Sequence, residues 1–232
     1  MTSIVLVPGA YLGSWAWDEV TPRLVAAGHD VHPLTLPGVA ERRVADPSTI
    51  GLSDHVAAVR EYLAEHGLTD TVLVGHSYSG LVTGQVAAAE PDRVAHSVFL
   101  DANLPADGKS MADAWSEQGR AFVPDAGFWR LPPISAFAGQ DLTPEQISVF
   151  LERGTDQPAR TVTDPATLAR PLTDLSATYI KCLKPNPQLR PDVAAASASP
   201  SWTLRELDTG HWPNFSRPAE LAALLDSIAA KR

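Results

Sequence analysis

Cysteine is almost absent from this chain. Cys182 stands alone, which excludes an intramolecular disulfide and any metal site built from several cysteines. Within a strand-like run it reads as a small buried apolar residue. Long hydrophobic runs are missing too: none approaches the roughly twenty apolar residues that a membrane-spanning helix needs. The short apolar stretch behind Met1 lacks the positive flank and the length of a signal segment, so a cytoplasmic protein is expected. Basic clusters are equally scarce. Lys and Arg number 18 against 27 Asp and Glu, for a net charge of -9, and no patch of cations is available to grip a nucleic acid or an anionic membrane. With only 19% charged residues and 44% apolar ones in 232, the chain has enough material for one sizeable core, read here as a single domain over residues 1–232. Neither an internal repeat nor a low-complexity linker is present.

Strand and helix patterns alternate along most of the chain. Residues 3–7 form a β-branched run closed by Pro8-Gly9, and residues 15–27 space Trp17, Val20, Leu24 and Ala27 at helical intervals before Gly28. A second strand over 31–36 ends at Pro37-Gly38, and Ser53 stands as an N-cap before a helix over 54–65. A third pair follows at 71–74 and 81–90, stopped by Pro91, and a fourth strand over 97–100 terminates on Asp101. Between residues 103 and 173 the rhythm breaks into a stretch rich in Pro, Gly and aromatics, including Trp115, Phe122, Phe128, Trp129, Phe137 and Phe150, which is expected to fold as a cap. Strands over 177–183 and 201–207 and an amphipathic helix over 218–230, with Leu221, Leu224, Leu225 and Ile228 on one face, complete the pattern. Helices between strands imply a mostly parallel α/β sheet of about six strands.

The most informative stretch is Gly75-His76-Ser77-Tyr78-Ser79-Gly80. It follows an apolar strand and opens a helix, which is the context in which G-x-S-x-G forms a nucleophile turn. A serine hydroxyl needs a base to become a nucleophile, and the sharp turn exposes it beside backbone donors. The match is incomplete, because Ser79 replaces the second glycine and Gly80 comes one position later. In an open parallel sheet ligands bind beyond the carboxyl ends of the strands. Ser77, Asp101 and His211 all close strands, and they occur in the chain order Ser, Asp, His.

That order and four local patterns resemble the α/β-hydrolase superfamily over nearly the whole chain, starting at what that family counts as its third strand. Pro8 to Trp15, Gly28-His29, Gly75-His76-Ser77 and Asp208-Thr209-Gly210-His211 resemble the small serine esterases related to plant methylesterases and hydroxynitrile lyases. The resemblance implies Ser77 as nucleophile, His211 as base, and the backbone N–H groups of Ala10 and Tyr78 as oxyanion hole. Pro8 stands where relatives usually have histidine. Tyr11 and Trp212 are expected to line the substrate pocket. In those relatives the acid follows the strand that here reads Thr178-Tyr179-Ile180-Lys181-Cys182, yet no carboxylate appears there until Asp192. Asp101, at the end of the preceding strand, is the preferred candidate, with Asp192 as the alternative; Asp208 reads as a cap of the turn before His211.

The implied activity is hydrolysis of a small carboxylic ester without cofactor or metal. A thioesterase, a lactonase, a C–C bond hydrolase or a hydroxynitrile-lyase-type lyase uses the same frame, and a ligand receptor is the non-catalytic rival. Lyases of that type resemble this chain less at two positions, with threonine where Gly9 stands and lysine where Trp212 stands. Substrate identity and oligomeric state are not legible.

Overall fold

The structure is a computed structural model that describes residues 1–117 and 127–231. Phe122, one of the aromatics of the expected cap, lies outside the described residues. Strands β1 (Ser3–Val7), β2 (Asp30–Pro33), β3 (Thr71–His76), β4 (Val94–Leu100), β7 (Ala177–Cys182) and β8 (Trp202–Leu207) form one sheet in the order β2-β1-β3-β4-β7-β8. All its pairings are parallel, as strands joined through helices must be. β5 (Phe128–Trp129) and β6 (Gln157–Pro158) make a separate two-residue antiparallel ribbon in the stretch between β4 and β7.

The helices are α1 (Thr21–Ala26), α2 (Leu52–Glu65), α3 (Gly80–Ala89), α4 (Pro144–Arg153), α5 (Arg160–Thr163), α6 (Pro191–Ser197), α7 (Pro213–Ser216) and α8 (Pro218–Ala229). Successive strand residues face opposite sides of the sheet, and each side has its own core. Ile4, Leu6, Val72, Val74 and Val98 pack with Leu24 of α1 and Leu221 and Leu225 of α8. Val5, Val7, Leu73 and Phe99 pack with Val59 and Leu63 of α2 and Val82 and Val86 of α3. α3 is buried from Gly80 to Ala88, which explains why its sequence is apolar all round rather than amphipathic. None of the helices among the described residues is long and apolar enough to cross a membrane.

Local departures from expectation have identifiable causes. The helical pattern over 15–27 divides into a 3-10 turn, Ser14–Trp17, and the short α1, whose first turn contains Pro22; Trp15 and Trp17 are buried on this turn as Val20 and Leu24 are beyond it. β2 ends at Pro33 rather than at Leu36. Ser53 is not the N-cap of α2. Gly51 is, and the Asp54 carboxylate accepts the Gly51 N–H at 2.7 Å from inside the first turn, which suits the positive end of a helix.

β1 is followed by β2 on one side and, through α2, by β3 on the other, so the strand order reverses between β1 and β3. Such a switch point opens a crevice at the carboxyl ends. The Pro8–Gly13 loop and Ser77 leave the sheet there.

Candidate active site

Ser77 follows the last residue of β3 and adopts φ +55, a conformation rarely available to residues with a side chain. Its surroundings enforce it. A Cβ on Gly75 would collide with the Thr83 hydroxyl and the Ser79 carbonyl, so only glycine lets α3 fold back this closely on β3. Asn103 N–H donates to the Ser77 carbonyl at 2.9 Å. Ser79, which stands in the place of the motif's second glycine, is fully buried and donates from Oγ to the Pro8 carbonyl. The turn that carries Ser77 is thereby tied to the loop after β1.

Ser77 Oγ lies 2.7 Å from His211 Nε2, and His211 Nδ1 lies 2.7 Å from Asp101 Oδ2. With Nδ1–H donated to the carboxylate, Nε2 is left as the acceptor for the serine proton. The loop carrying His211 is fixed from both sides: its N–H donates to Gln140 Oε1 at 2.8 Å, and its carbonyl accepts from His76 Nε2 at 2.7 Å. Burial, with His211 nearby, depresses His76 to about 3, so this imidazole stays neutral and acts as a prop. His55 is likewise driven to about 4 by burial. It accepts the Tyr78 hydroxyl at 2.9 Å and donates to the Pro37 carbonyl at 2.7 Å, which anchors Tyr78 beneath the turn.

Asp101 closes β4 at φ +41. Its N–H donates to the Ile180 carbonyl at 2.7 Å, while its Oδ1 accepts Cys182 N–H at 3.3 Å and Lys181 Nζ at 3.4 Å. Burial raises the carboxyl pKa, but the hydrogen bond from His211 and the charges and donors around it outweigh burial and hold it below the usual range. Asp192 is placed elsewhere: half-exposed at the start of α6, it pairs with Arg190 at 2.9 Å. Asp208, expected as a cap of the turn before His211, has an exposed carboxylate that pairs with Lys184 at 3.4 Å.

The remaining expected residues divide. Ala10 is buried in the loop that Ser79 tethers, and the neighbouring Gly9 lies so near that a Cβ there would stand 3.2 Å from Ser77 Cβ. Tyr78 N–H belongs to the first turn after Ser77, where helical N–H groups lack intrahelical partners. Tyr11 packs against Trp129 with the ring centroids 4.7 Å apart and the planes tilted by 47°, and lines a mostly apolar cavity of about 500 Å³ with Trp115, Leu131 and Pro132. Trp212 touches His211 edge-on at 5.1 Å, but its ring packs among Phe137 and Phe150. Among the described residues neither lines the cavity that contains Ser77.

That cavity measures about 390 Å³ and is walled by Asn103, Met111, Tyr179, Lys181, Gln188 and Arg190 as well as the Ser, His and Asp. A larger one of about 720 Å³ shares Asn103, Met111 and Arg190 with it and continues to Leu81 and Trp115. Sequence reasoning missed Lys181 and Arg190. The signal for Lys181 was a lysine near the end of an otherwise apolar strand, where a charge is costly without a partner.

Residues 4–224 match the alpha/beta hydrolase family. Methylesterase 9 of Arabidopsis thaliana is 30% identical over 100% of this chain and 99% of its own length. A carbendazim hydrolyzing esterase of Nocardioides sp. (strain SG-4G) is 35% identical over 48% of this chain, and the match spans only 46% of that esterase. An extracellular alpha/beta-hydrolase from a Paenibacillus species superimposes with a TM-score of 0.85 at 22% identity, covering 99% of both chains.

Proposed function

We propose that this chain, which belongs to the alpha/beta hydrolase family, hydrolyses a small carboxylic ester through an acyl-enzyme on Ser77. The observation that carries the reading is the unbroken relay from Ser77 Oγ through His211 to Asp101, both links at 2.7 Å. As Oγ attacks the acyl carbon, its proton passes to His211 Nε2, and the imidazolium so formed is stabilised by the Asp101 carboxylate. The oxyanion is received by the N–H groups of Ala10 and Tyr78; losing one such donor typically raises a barrier by about 2.7–4 kcal/mol. His211 then protonates the departing alcohol, and a water activated by the same imidazole cleaves the acyl-enzyme. The described residues between 103 and 173 serve as a cap over this chemistry. The esterase names of relatives on either side of the plant–bacterial divide support the reaction class.

A second reading has one observation in its favour. Trp212 leaves no cation beside His211, but Lys181 supplies one to the same cavity from β7, so a leaving cyanide would find a charge partner. Against it, a threonine in place of Gly9 would press on His76 and Ser77, and the lyase-type residue is absent. Turnover of p-nitrophenyl esters from acetate to octanoate, with Ser77→Ala as the blank, tests the esterase reading. Loss of all turnover and of fluorophosphonate labelling in the variant is the expected result. Cyanide release from mandelonitrile with no ester cleavage would replace hydrolysis by the lyase reaction.

A further inference from the structure

We infer that Gln157, contributed by the cap, is a positioning residue for the reaction at Ser77: its amide clamps the loop after β1 in the conformation that presents the Ala10 N–H to the oxyanion. This rests on the esterase reading and deepens it. Leu12 N–H donates to the Gly9 carbonyl at 3.4 Å, which closes a β-turn with Ala10 and Tyr11 at its corners. Tyr11 takes the third position with φ +73, while Ala10 keeps a negative φ; that is the type II form, whose third position normally falls to glycine. A tyrosine there is strained. Turning the Ala10–Tyr11 peptide over would relieve the strain, because the type I form keeps both corners at negative φ. Contacts from the cap prevent it. Gln157 Oε1 accepts the Tyr11 N–H at 3.0 Å, and Thr155 N–H donates to the Tyr11 carbonyl at 3.0 Å.

The clamp is built into the fold. Gln157 is 1% exposed, and a buried amide is costly unless both its ends are paired. Its Nε2 donates to Thr161 Oγ1 at 2.9 Å, and that hydroxyl gives its own proton to the Pro158 carbonyl at 2.6 Å, so the oxygen is the end that must face the Tyr11 N–H. Thr161 also adjoins the Tyr78 hydroxyl, which ties the clamp to the residue of the second oxyanion donor. Gln157 lies opposite Trp129 in the β5–β6 ribbon, and Trp129 carries the Tyr11 ring. Backbone and side chain of Tyr11 are thus held by one pair of cross-strand neighbours. The Ala10 N–H itself belongs to the Gly9–Ala10 peptide, which is bracketed: the peptide before it is held at the Pro8 carbonyl by Ser79, and the peptide after it at the Tyr11 N–H by Gln157. A preorganised donor lowers the barrier because nothing rearranges as charge develops. Releasing one bracket lets the Ala10 N–H stray from the position that the oxyanion takes.

The test is Gln157→Met, which keeps the length of the side chain and removes the acceptor, assayed with p-nitrophenyl acetate and with two inhibitors. Hexyl trifluoromethyl ketone adds to an active serine and leaves an oxyanion in the hole, whereas hexyl methyl ketone occupies the pocket without forming that adduct. In the variant kcat/KM is expected to fall at least about tenfold, short of the roughly 10²–10³ lost when an oxyanion donor is removed outright. The Ki of the fluoroketone should rise by the same factor while that of the methyl ketone stays put. Gln157→Glu, whose carboxyl oxygen still accepts the Tyr11 N–H in either protonation state, should lie nearer to the wild type. A folded Gln157→Met with wild-type kcat/KM overturns the inference, as does a loss of rate that leaves the fluoroketone Ki unchanged, or a Gln157→Glu as impaired as Gln157→Met. Should Gln157→Met fail to fold, Thr161→Val releases the far end of the amide with little change of volume; the same parallel shifts, smaller in size, are expected, and wild-type values overturn the inference. A wild type that neither cleaves the ester nor is labelled at Ser77 by fluorophosphonate overturns the esterase reading itself, an outcome distinct from failure of the clamp.

Discussion

Replacing Asp101 by asparagine tests more than the identity of the acid, because the structure dictates which way the new amide must turn. The carboxylate is acceptor-only and satisfies donors on both oxygens: His211 on one side, Cys182 N–H and Lys181 on the other. An amide keeps one acceptor and gains one donor edge. If its oxygen faces Cys182 and Lys181, its NH₂ faces His211 Nδ1, which must then become an acceptor and carry its proton on Nε2. That tautomer cannot take the proton of Ser77. The opposite orientation restores the tautomer but sets NH₂ against two donors, at about 1–3 kcal/mol for each group left unpaired. Even in that minority state the imidazolium loses its carboxylate, and a charge pair in contact is worth several kcal/mol at an effective dielectric near 20. The combined barrier increase is about 5–6 kcal/mol, or roughly 10⁴-fold in rate, the size found when the acid of a serine triad is amidated. The assay is kcat/KM on p-nitrophenyl acetate at pH 7.5, with Asp192→Asn alongside and thermal unfolding of both to show that the fold persists. Asp192→Asn removes only an exposed pair, worth at most about 1 kcal/mol. A folded Asp101→Asn that keeps more than a tenth of the activity, or an equal loss in Asp192→Asn, refutes the reasoning.

Three further outcomes follow from other parts of the site. Ser79→Ala leaves the buried Pro8 carbonyl without its donor and should cost about 1–3 kcal/mol of stability with a larger loss in kcat than in affinity, since the loop holding Ala10 is released; an unchanged kcat would separate that loop from the oxyanion. Gly210→Ala drives a Cβ into the Gln140 backbone and should lower stability by at least the 1–3 kcal/mol typical of overpacking, read as a fall in Tm; wild-type Tm would show that the contact yields freely. His55 and His76 have folded values near 4 and 3 against 6.5 unfolded, so the unfolded chain binds their protons first. Their contribution is intact above pH 6.5 and lost as pH falls toward 4 and 3, at about 1.4 kcal/mol per pH unit for each. Chemical denaturation from pH 7 to 4.5 should show this decline, and His55→Gln should flatten it; a decline of the same slope in that variant removes His55 as a cause.

Most of what positions the chemistry was legible because it is local. Gly75-His76-Ser77 ends its own strand, and His211 lies in the turn shortly after its own, so neighbouring residues alone indicated turns that project a side chain. Asp101 was legible as a strand end and was preferred over Asp192 on that ground, but its bracing by Cys182 N–H and Lys181 was not, because it depends on β4 and β7 being adjacent in the sheet. The same adjacency hid Lys181, which the sequence presents as an oddity in an apolar strand and the sheet converts into a neighbour of Asp101. Trp15 to Ala27 misled for a different reason: apolar spacing reports burial, and a 3-10 turn followed by a short helix buries Trp17, Val20 and Leu24 as well as one continuous helix would. Ser53 has no capping role because the helix begins earlier, at Leu52, with Gly51 as its N-cap and the Asp54 carboxylate accepting the Gly51 N–H from the first turn. Trp212 and Tyr11 were expected at the pocket from their neighbours in the chain, but aromatic partners contributed by the 101–176 stretch drew both rings elsewhere.

In the proposed relay, seating the acid at the end of β4 rather than beyond β7 also redistributes the freedom to vary. Residues 183–190 follow β7, and Asn186, Gln188, Leu189 and Arg190 among them line the cavity, yet they hold no member of the proposed relay, so exchanges there are expected to alter what the pocket admits without disturbing how it reacts. A library built across Asn186, Gln188 and Leu189 would therefore sample new selectivities on an intact catalyst, whereas in a hydrolase whose acid resides in that loop the same changes would extinguish turnover before selectivity could be read.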